Sequence, residues 1–305
     1  QEIAAKPKAE VPWLAEVQTR PDALPADAVK LPSLLLDDAG QPITTREAWG
    51  KRREELRRRW LEFLGPLKTE RPKPELAVLE EDRPEGVIRQ LVRYESEPGI
   101  PVEGYLLRPD KPADPKTKRP GVVVLHSTAK ETIRQPAGLE GAPEKAFGLK
   151  LAQRGYVTFC PRCFLWQGAG DYKELVAKFQ TRHPGSKGMA KMLFDAIRAV
   201  DVLAAQSDVD SNRLGAVGHS LGGKESLYLA AFDERIRSTV SSEGGVGIDF
   251  SNWEAVWYLS EACKKPDFKL RHHEVLALAA PRPFLLMGGD SADGAKSWPY
   301  IEAVL

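Results

Sequence analysis

The order of apolar segments predicts an α/β protein built on a mostly parallel, doubly wound sheet, with a leading antiparallel hairpin and an N-terminal helical extension. Three observations carry this expectation. Continuous apolar runs at Gly121 to Leu125 and Tyr156 to Cys160 read as strands buried on both faces. Segments of helical periodicity alternate with them, which implies right-handed crossovers between parallel strands. Ahead of them, Val87 to Tyr94 and Pro101 to Leu107 alternate apolar and polar residues around the turn Glu97-Pro98-Gly99, as a half-buried hairpin does.

Taken in order, residues 1 to about 48 are rich in Pro, Ala and Asp and read as an extended surface segment. Lys51 to Leu64, led by Thr45, reads as an amphipathic helix with Leu56, Trp60, Leu61 and Leu64 on its apolar side and Arg57-Arg58-Arg59 on a solvated face. Gly65-Pro66 ends it, and a Pro- and Glu-rich linker runs to about residue 86. This divides the chain into an extended segment and helix, 1–85, packing on a catalytic domain, 86–305. Ala146 to Arg154 is expected to be helical. Gly188 to Gln206, with Met192, Leu193, Ala196, Ile197, Val200 and Leu203 at helical spacing, is expected to be a longer helix. A strand at Leu214 to Val217, a helix at Leu221 to Phe232, a strand at Ile236 to Ser241, a helix at Ser251 to Ala262 and a strand at Pro283 to Met287 complete the alternation.

Composition narrows the function. Lys and Arg number 44 against 43 Asp and Glu, so nothing draws the chain to nucleic acid or to an anionic membrane. No apolar run approaches the roughly 20 residues that a membrane helix needs. The opening mixture of Ala, Lys, Pro and Glu after Gln1 resembles a mature end left by removal of an export signal, so a secreted or periplasmic protein is expected. Cys160, Cys163 and Cys263 allow at most one disulfide. Cys160-Pro161-Arg162-Cys163 has redox spacing but follows a strand and does not open a helix, so it is read as structural. No metal site or organic cofactor is expected.

Gly218-His219-Ser220-Leu221-Gly222 matches G-x-S-x-G, and its position between a strand and a helix gives the match its meaning. A serine on that turn projects its oxygen above the sheet edge, and the flanking glycines admit a strained backbone and close packing. Ser220 is thus the expected nucleophile. The N–H of Leu221 is one expected oxyanion donor, with Thr128 or Ser127, in the loop His126-Ser127-Thr128, as the other. His126 ends its strand, where it either orients that loop through a hydrogen bond or shapes the substrate pocket. For the acid, Asp293 and then Asp290 follow the last strand, and Glu243 follows the preceding one at the same sheet edge.

The base is harder to place. In the order Ser, acid, His, the histidine follows the acid, yet the five histidines are His126, His183, His219, His272 and His273. The catalytic histidine is therefore expected beyond Leu305, in a C-terminal portion missing from this sequence.

Three segments carry a resemblance: Gly218 to Glu225, Ala230-Ala231-Phe232-Asp233-Glu234-Arg235-Ile236, and Ala280 to Leu286. With them, residues of about 45 to 305 resemble the dienelactone-hydrolase-like and acetyl xylan esterase-like branch of the α/β-hydrolases, particularly secreted bacterial members. The same segments are similar to glucuronoyl esterases, whose pattern Lys224 and Glu243 fit, while Leu221 stands where those enzymes have Arg. The resemblance implies cofactor-free hydrolysis of small or carbohydrate carboxylic esters by Ser220 through an acyl-enzyme. It makes Lys224 a substrate-binding candidate. Trp253, Trp257, Tyr258 and Trp298 either form a platform for a sugar ring or pack the surrounding helix. Two other readings stand beside this one: a non-catalytic binding protein of the same fold, and dienelactone-type hydrolysis, which a cysteine nucleophile would favour.

Overall fold

The computed structural model describes residues 22–24, 26–111, 117–288 and 293–305, with the side chain of Asp293 outside that description. An eight-stranded sheet runs in the order β1-β2-β3-β5-β4-β6-β7-β8. Its strands are β1 (Ala77–Asp82), β2 (Val87–Glu97), β3 (Ile100–Pro109), β4 (Arg119–Leu125), β5 (Val157–Pro161), β6 (Val209–His219), β7 (Ile236–Ser242) and β8 (Phe284–Met287). β1, β2, β3 and β5 pair antiparallel in succession, and β5, β4, β6, β7 and β8 pair parallel. This is the α/β-hydrolase fold. The parallel strands need crossovers of at least one helix each, and α2 (Phe147–Gln153), α4 (Gly188–Ala204), α5 (Leu221–Phe232) and α6 (His272–Ala279) supply them. Both faces of the sheet are thereby covered, which is why β4 and β5 carry apolar residues without alternation.

The N-terminal helix, α1 (Arg46–Leu64), begins where Thr45 accepts a hydrogen bond from the Ala48 N–H and ends at Gly65 in left-handed backbone. Its buried stripe Leu56, Trp60, Leu64 recurs at i, i+4, i+8 and seats the helix on α5 and α6. The Trp60 indole donates to Glu274 at 2.8 Å and stacks on His272. The Arg triplet is not wholly a solvated face. The Arg57 guanidinium reaches the Ala231 and Phe232 carbonyls at 3.2 and 2.9 Å, binding the C-terminal end of α5, where the helix dipole favours a cation. Trp60→Ala is expected to cost about 3–5 kcal/mol, read as a lower urea midpoint with an unchanged slope.

Three local expectations are corrected. Residues 77–82, read as linker, form the exposed edge strand β1, held by pairing with β2 rather than by apolar burial. Ser251 to Ala262 forms turns and a single 3₁₀ turn at Glu261–Lys264 instead of a helix. There Ser251 Oγ accepts from Lys224 and the Trp253 indole donates to the Gly245 carbonyl, tertiary bonds that hold the segment in a non-helical path. A helix not foreseen, α3 (Tyr172–Arg182), opens with a capping box between Asp171 and Glu174, a D-x-x-E signal present in the sequence. The last helix, α7 (Asp293–Glu302), follows β8. Among the described residues no helix is long and apolar enough to cross a membrane.

Candidate active site

The register of the parallel strands brings the candidate residues to one edge of the sheet. Leu125 lies opposite Gly218, Gly218 opposite Ser241, and Ser242 opposite Met287. The loop 126–128, the turn at Ser220 and Glu243 therefore leave the carboxyl ends of β4, β6 and β7 side by side, the edge where open α/β sheets bind ligands.

Ser220 has φ 56° and ψ −114°, a backbone conformation that costs a non-glycine residue about 1–3 kcal/mol. The turn is held in place by its neighbours. The Ser220 N–H donates to the Ser242 carbonyl at 2.8 Å, tying the turn to β7. A methyl group on Gly218 would meet the Gly222 carbonyl oxygen at 2.0 Å, and one on Gly222 would meet that of Leu125 at 2.1 Å. Both glycines are required by this close approach, which seats α5 directly on β4. Ser220 remains partly exposed, and its hydroxyl has no hydrogen-bond partner among the described residues.

The first turn of α5 directs N–H groups without intrahelical acceptors toward the same space. Among the described residues neither the Leu221 nor the Thr128 N–H donates to a protein acceptor, so both are free for an oxyanion. The Ser127 N–H, the alternative donor, likewise has no protein acceptor among the described residues, while its buried hydroxyl donates to Gln135 Oε1 at 3.0 Å. Its carbonyl accepts both the His126 Nδ1–H and the Ala129 N–H, at 2.8 Å each, and this shapes the turn that presents Thr128.

His126 does not contact substrate space as a pocket residue. It is buried, its Nε2 accepts the Cys163 N–H at 3.1 Å, and Trp166 packs edge-on against its ring at 5.0 Å. Desolvation pushes its pKa down to about 4, so the ring is neutral and joins the loop after β4 to the loop after β5. The other histidines are also engaged. His272 is hydrogen-bonded to Tyr228 and Val246, His273 to the Pro32 carbonyl and His183 to Glu97. His219, next to Ser220 in the chain, meets Ser242 Oγ at 3.3 Å. Its pKa is lowered by partial burial and then by Lys145, with Glu243 opposing. None of the five is hydrogen-bonded to Ser220.

Two further expectations change. Trp253 is 0% exposed, its ring packed under the Lys224 ammonium at 4.1 Å and against Tyr228 and His272, so it presents no face to a sugar. Lys224 is itself buried, its ammonium donating to the Gly244 carbonyl and to Ser251 Oγ. It braces α5 against the 244–251 loop instead of facing solvent. Trp298, on α7, lines a groove of about 600 Å³ along β8 with Ala280, Phe284 and Leu286.

Of the acids, Glu243 is exposed, has φ 51°, and donates its N–H to the Met287 carbonyl at 2.7 Å. Asp290 lies outside the described residues, and of Asp293 only the backbone, at the start of α7, is described. All three cysteines are free and buried, and burial pushes the thiols of Cys160 and Cys163 well up, consistent with a structural role for that pair. Among the described residues no three His, Cys, Asp or Glu are grouped as metal ligands.

The fold and this sheet edge define an α/β-hydrolase. Residues 102–256, just over half of the chain, match the model of the dienelactone hydrolase family, and the chain belongs to that family of hydrolases. It is 27% identical over 261 residues to YtaP of Bacillus subtilis (strain 168), named as a hydrolase, covering 78% of this chain and 80% of that protein. It is also 27% identical over 115 residues to the carbohydrate esterase MZ0003 of an unknown prokaryotic organism, covering 32% and 27% of the two chains. Among solved structures it is similar to a glucuronoyl esterase from Solibacter usitatus, with TM-score 0.65, 21% identity, and 90% and 86% of the chains covered. A protein from Bacteroides fragilis named as an acetyl xylan esterase gives TM-score 0.66 and 17% identity over 86% and 74% of the chains. At these identities the structural likenesses speak for the fold.

Proposed function

We propose that this protein is a serine carboxylic-ester hydrolase that forms an acyl-enzyme on Ser220 and acts on small or carbohydrate esters of the acetyl xylan type. The observation that carries the reading is the Ser220 turn: a strained, partly exposed serine at the N-terminus of α5, beside a loop whose Thr128 N–H is unoccupied. Ser220 Oγ attacks the ester carbonyl carbon while its proton passes to a base. The carbonyl oxygen becomes an oxyanion between the Leu221 and Thr128 N–H groups. The carbon–alkoxy bond then breaks, the alcohol leaves with the proton, and water repeats the sequence to release the acid. Glu243, Asp293 and Asp290 are the candidates for the carboxylate that orients the base. Residues 86–305 are the catalytic domain in this reading, and export from the cytoplasm belongs to it.

Glucuronoyl esters are the second reading, favoured by the position of Glu243 at the end of β7. Labelling with a fluorophosphonate, which bonds covalently to an activated serine, tests the mechanism. One adduct is expected on Ser220, located by peptide mass spectrometry, with acetylated xylo-oligosaccharide blocking it more effectively than a methyl glucuronate ester. An adduct on another residue would overturn the serine mechanism.

A further inference from the structure

Three aromatic residues that the reaction above does not use stand side by side at the same edge of the sheet. Trp166, from the loop after β5, packs edge-on to Tyr172, the first residue of α3, with ring centroids 5.1 Å apart. Tyr172 packs edge-on in turn to Trp257, from the segment after β7, at 5.5 Å. All three are half-buried, so part of each ring faces water. The strip meets the candidate site at both ends. Trp166 lies against the ring of His126, the residue that opens the loop 126–128. Trp257 packs at 6.0 Å on the buried Tyr258, and the Tyr258 ring is 5.3 Å from the Lys224 ammonium, while the Lys224 N–H donates to the Ser220 carbonyl at 3.1 Å. Each ring is held by its backbone. The Cys163 carbonyl accepts the Trp166 main-chain N–H at 3.0 Å, the Asp171–Glu174 capping box sets the start of α3, and the Met189 N–H donates to the Tyr258 carbonyl at 3.0 Å. A methyl group on Gly188 would meet the Trp257 carbonyl oxygen at 2.4 Å, so the start of α4 is pressed against that residue.

We propose, resting on the serine-hydrolase reading, that Trp166, Tyr172 and Trp257 form a subsite on which the pyranose ring of a neutral carbohydrate ester stacks. Their chemistry selects that occupant. The ring bodies offer apolar surface to the C–H face of a sugar. The Trp166 indole N–H and the Tyr172 hydroxyl have no hydrogen-bond partner among the described residues and are not buried, so both are open to sugar hydroxyls. An acyl chain laid on the strip would cover these polar tips without bonding them, and their bonds to water would be lost. An anionic ligand would need a free cation, and two cations of the flanking elements are already held. Arg162 donates to Thr132 and Glu103 at 3.3 and 3.4 Å, and Lys224 to the Gly244 carbonyl and Ser251 Oγ. The rings are fixed before the ligand arrives, so little side-chain freedom is lost on stacking. Trp257 thereby takes the sugar-facing place in the 251–260 segment that Trp253, turned inward under Lys224, does not fill.

The test compares kcat and KM for acetylated xylobiose and for ethyl acetate, an ester with no ring to stack, in wild type, Trp257→Ala and Trp166→Phe. Trp257→Ala is expected to raise KM for the sugar ester by on the order of tenfold with kcat little changed, so that its kcat/KM relative to that of ethyl acetate falls by the same factor. Trp166→Phe keeps a ring against His126 and Tyr172 but removes the N–H, and a fall of about threefold is expected in the same ratio. This smaller change carries the test should Trp257→Ala fail to fold. Equal losses on both esters, or none, would mean that the rings only pack the loops, and would overturn the proposal. Tryptophan fluorescence titrated with xylotriose reads the subsite without hydrolysis. A saturable change is expected in Ser220→Ala, with its midpoint on the order of tenfold higher once Trp257→Ala is added. No saturable change overturns the subsite and leaves any esterase activity of wild type standing. A saturable change in a wild-type protein that hydrolyses neither ester sinks the hydrolase reading and keeps the sugar site.

Discussion

Replacing Ser220 by alanine is expected to remove nearly all esterase activity, lowering kcat for an aryl acetate by on the order of 10³-fold to 10⁶-fold, as loss of a serine nucleophile does elsewhere. The fold should survive, because the Ser220 hydroxyl makes no hydrogen bond among the described residues, and the turn is held by the Ser220 N–H bond to Ser242 and by glycine packing. The thermal midpoint is therefore expected to stay close to that of wild type. The alanine also inherits the positive φ and its cost, so no strain is relieved. KM, where residual hydrolysis allows it to be read, should change little, since the proposed oxyanion donors, the N–H groups of Leu221 and Thr128, belong to the backbone. A variant that keeps its rate would show that Ser220 is not the nucleophile, and would move attention to a scaffold or binding role for this fold.

The second large effect lies in the backbone beneath that serine. Gly222→Ala places a methyl group 2.1 Å from the Leu125 carbonyl oxygen and 2.9 Å from that of His126, where the obstacle is the backbone of the central strand and not a flexible side chain. Either α5 lifts from β4 or the end of β4 is pushed aside, and the oxyanion loop begins at the displaced residue. A loss of roughly 3 kcal/mol or more is expected, comparable to severe overpacking in a core. Denaturant unfolding should show it as a lower midpoint, and fluorophosphonate labelling of Ser220 should slow in the fraction that remains folded. By contrast, a methyl at Gly86 meets nothing within 4 Å; there the cost of alanine is confined to its positive φ, about 1 kcal/mol. Equal losses at the two positions would contradict the packing argument.

Much of the sheet was legible because it rests on local signals. Apolar continuity in β4 and β5, alternation in β2 and β3, and the 3.6-residue spacing of α4 follow from which faces those elements bury. β1 escaped notice since all of its residues are exposed, so its strand state rests on pairing with β2 and leaves no hydropathy trace. The helix expected at Ser251 to Ala262 failed for a related reason: Trp253 and Ser251 bond to Gly245 and Lys224, partners invisible to a local window.

The site divides along the same line. The sequence by itself determined the Ser220 turn, because G-x-S-x-G between a strand and a helix is a local solution to a local steric problem, with Gly218 and Gly222 admitting the close approach of α5. It also put the loop 126–128 and Glu243 at one edge of the sheet, since both follow the carboxyl ends of parallel strands. Only the tertiary structure decided what surrounds them. It turned Lys224 and Trp253 inward against each other, and it engaged both ring nitrogens of His126 between two loops. Burial and hydrogen-bond partnership depend on residues tens of positions away, and those distances are closed only when the sheet stacks its crossovers on both faces.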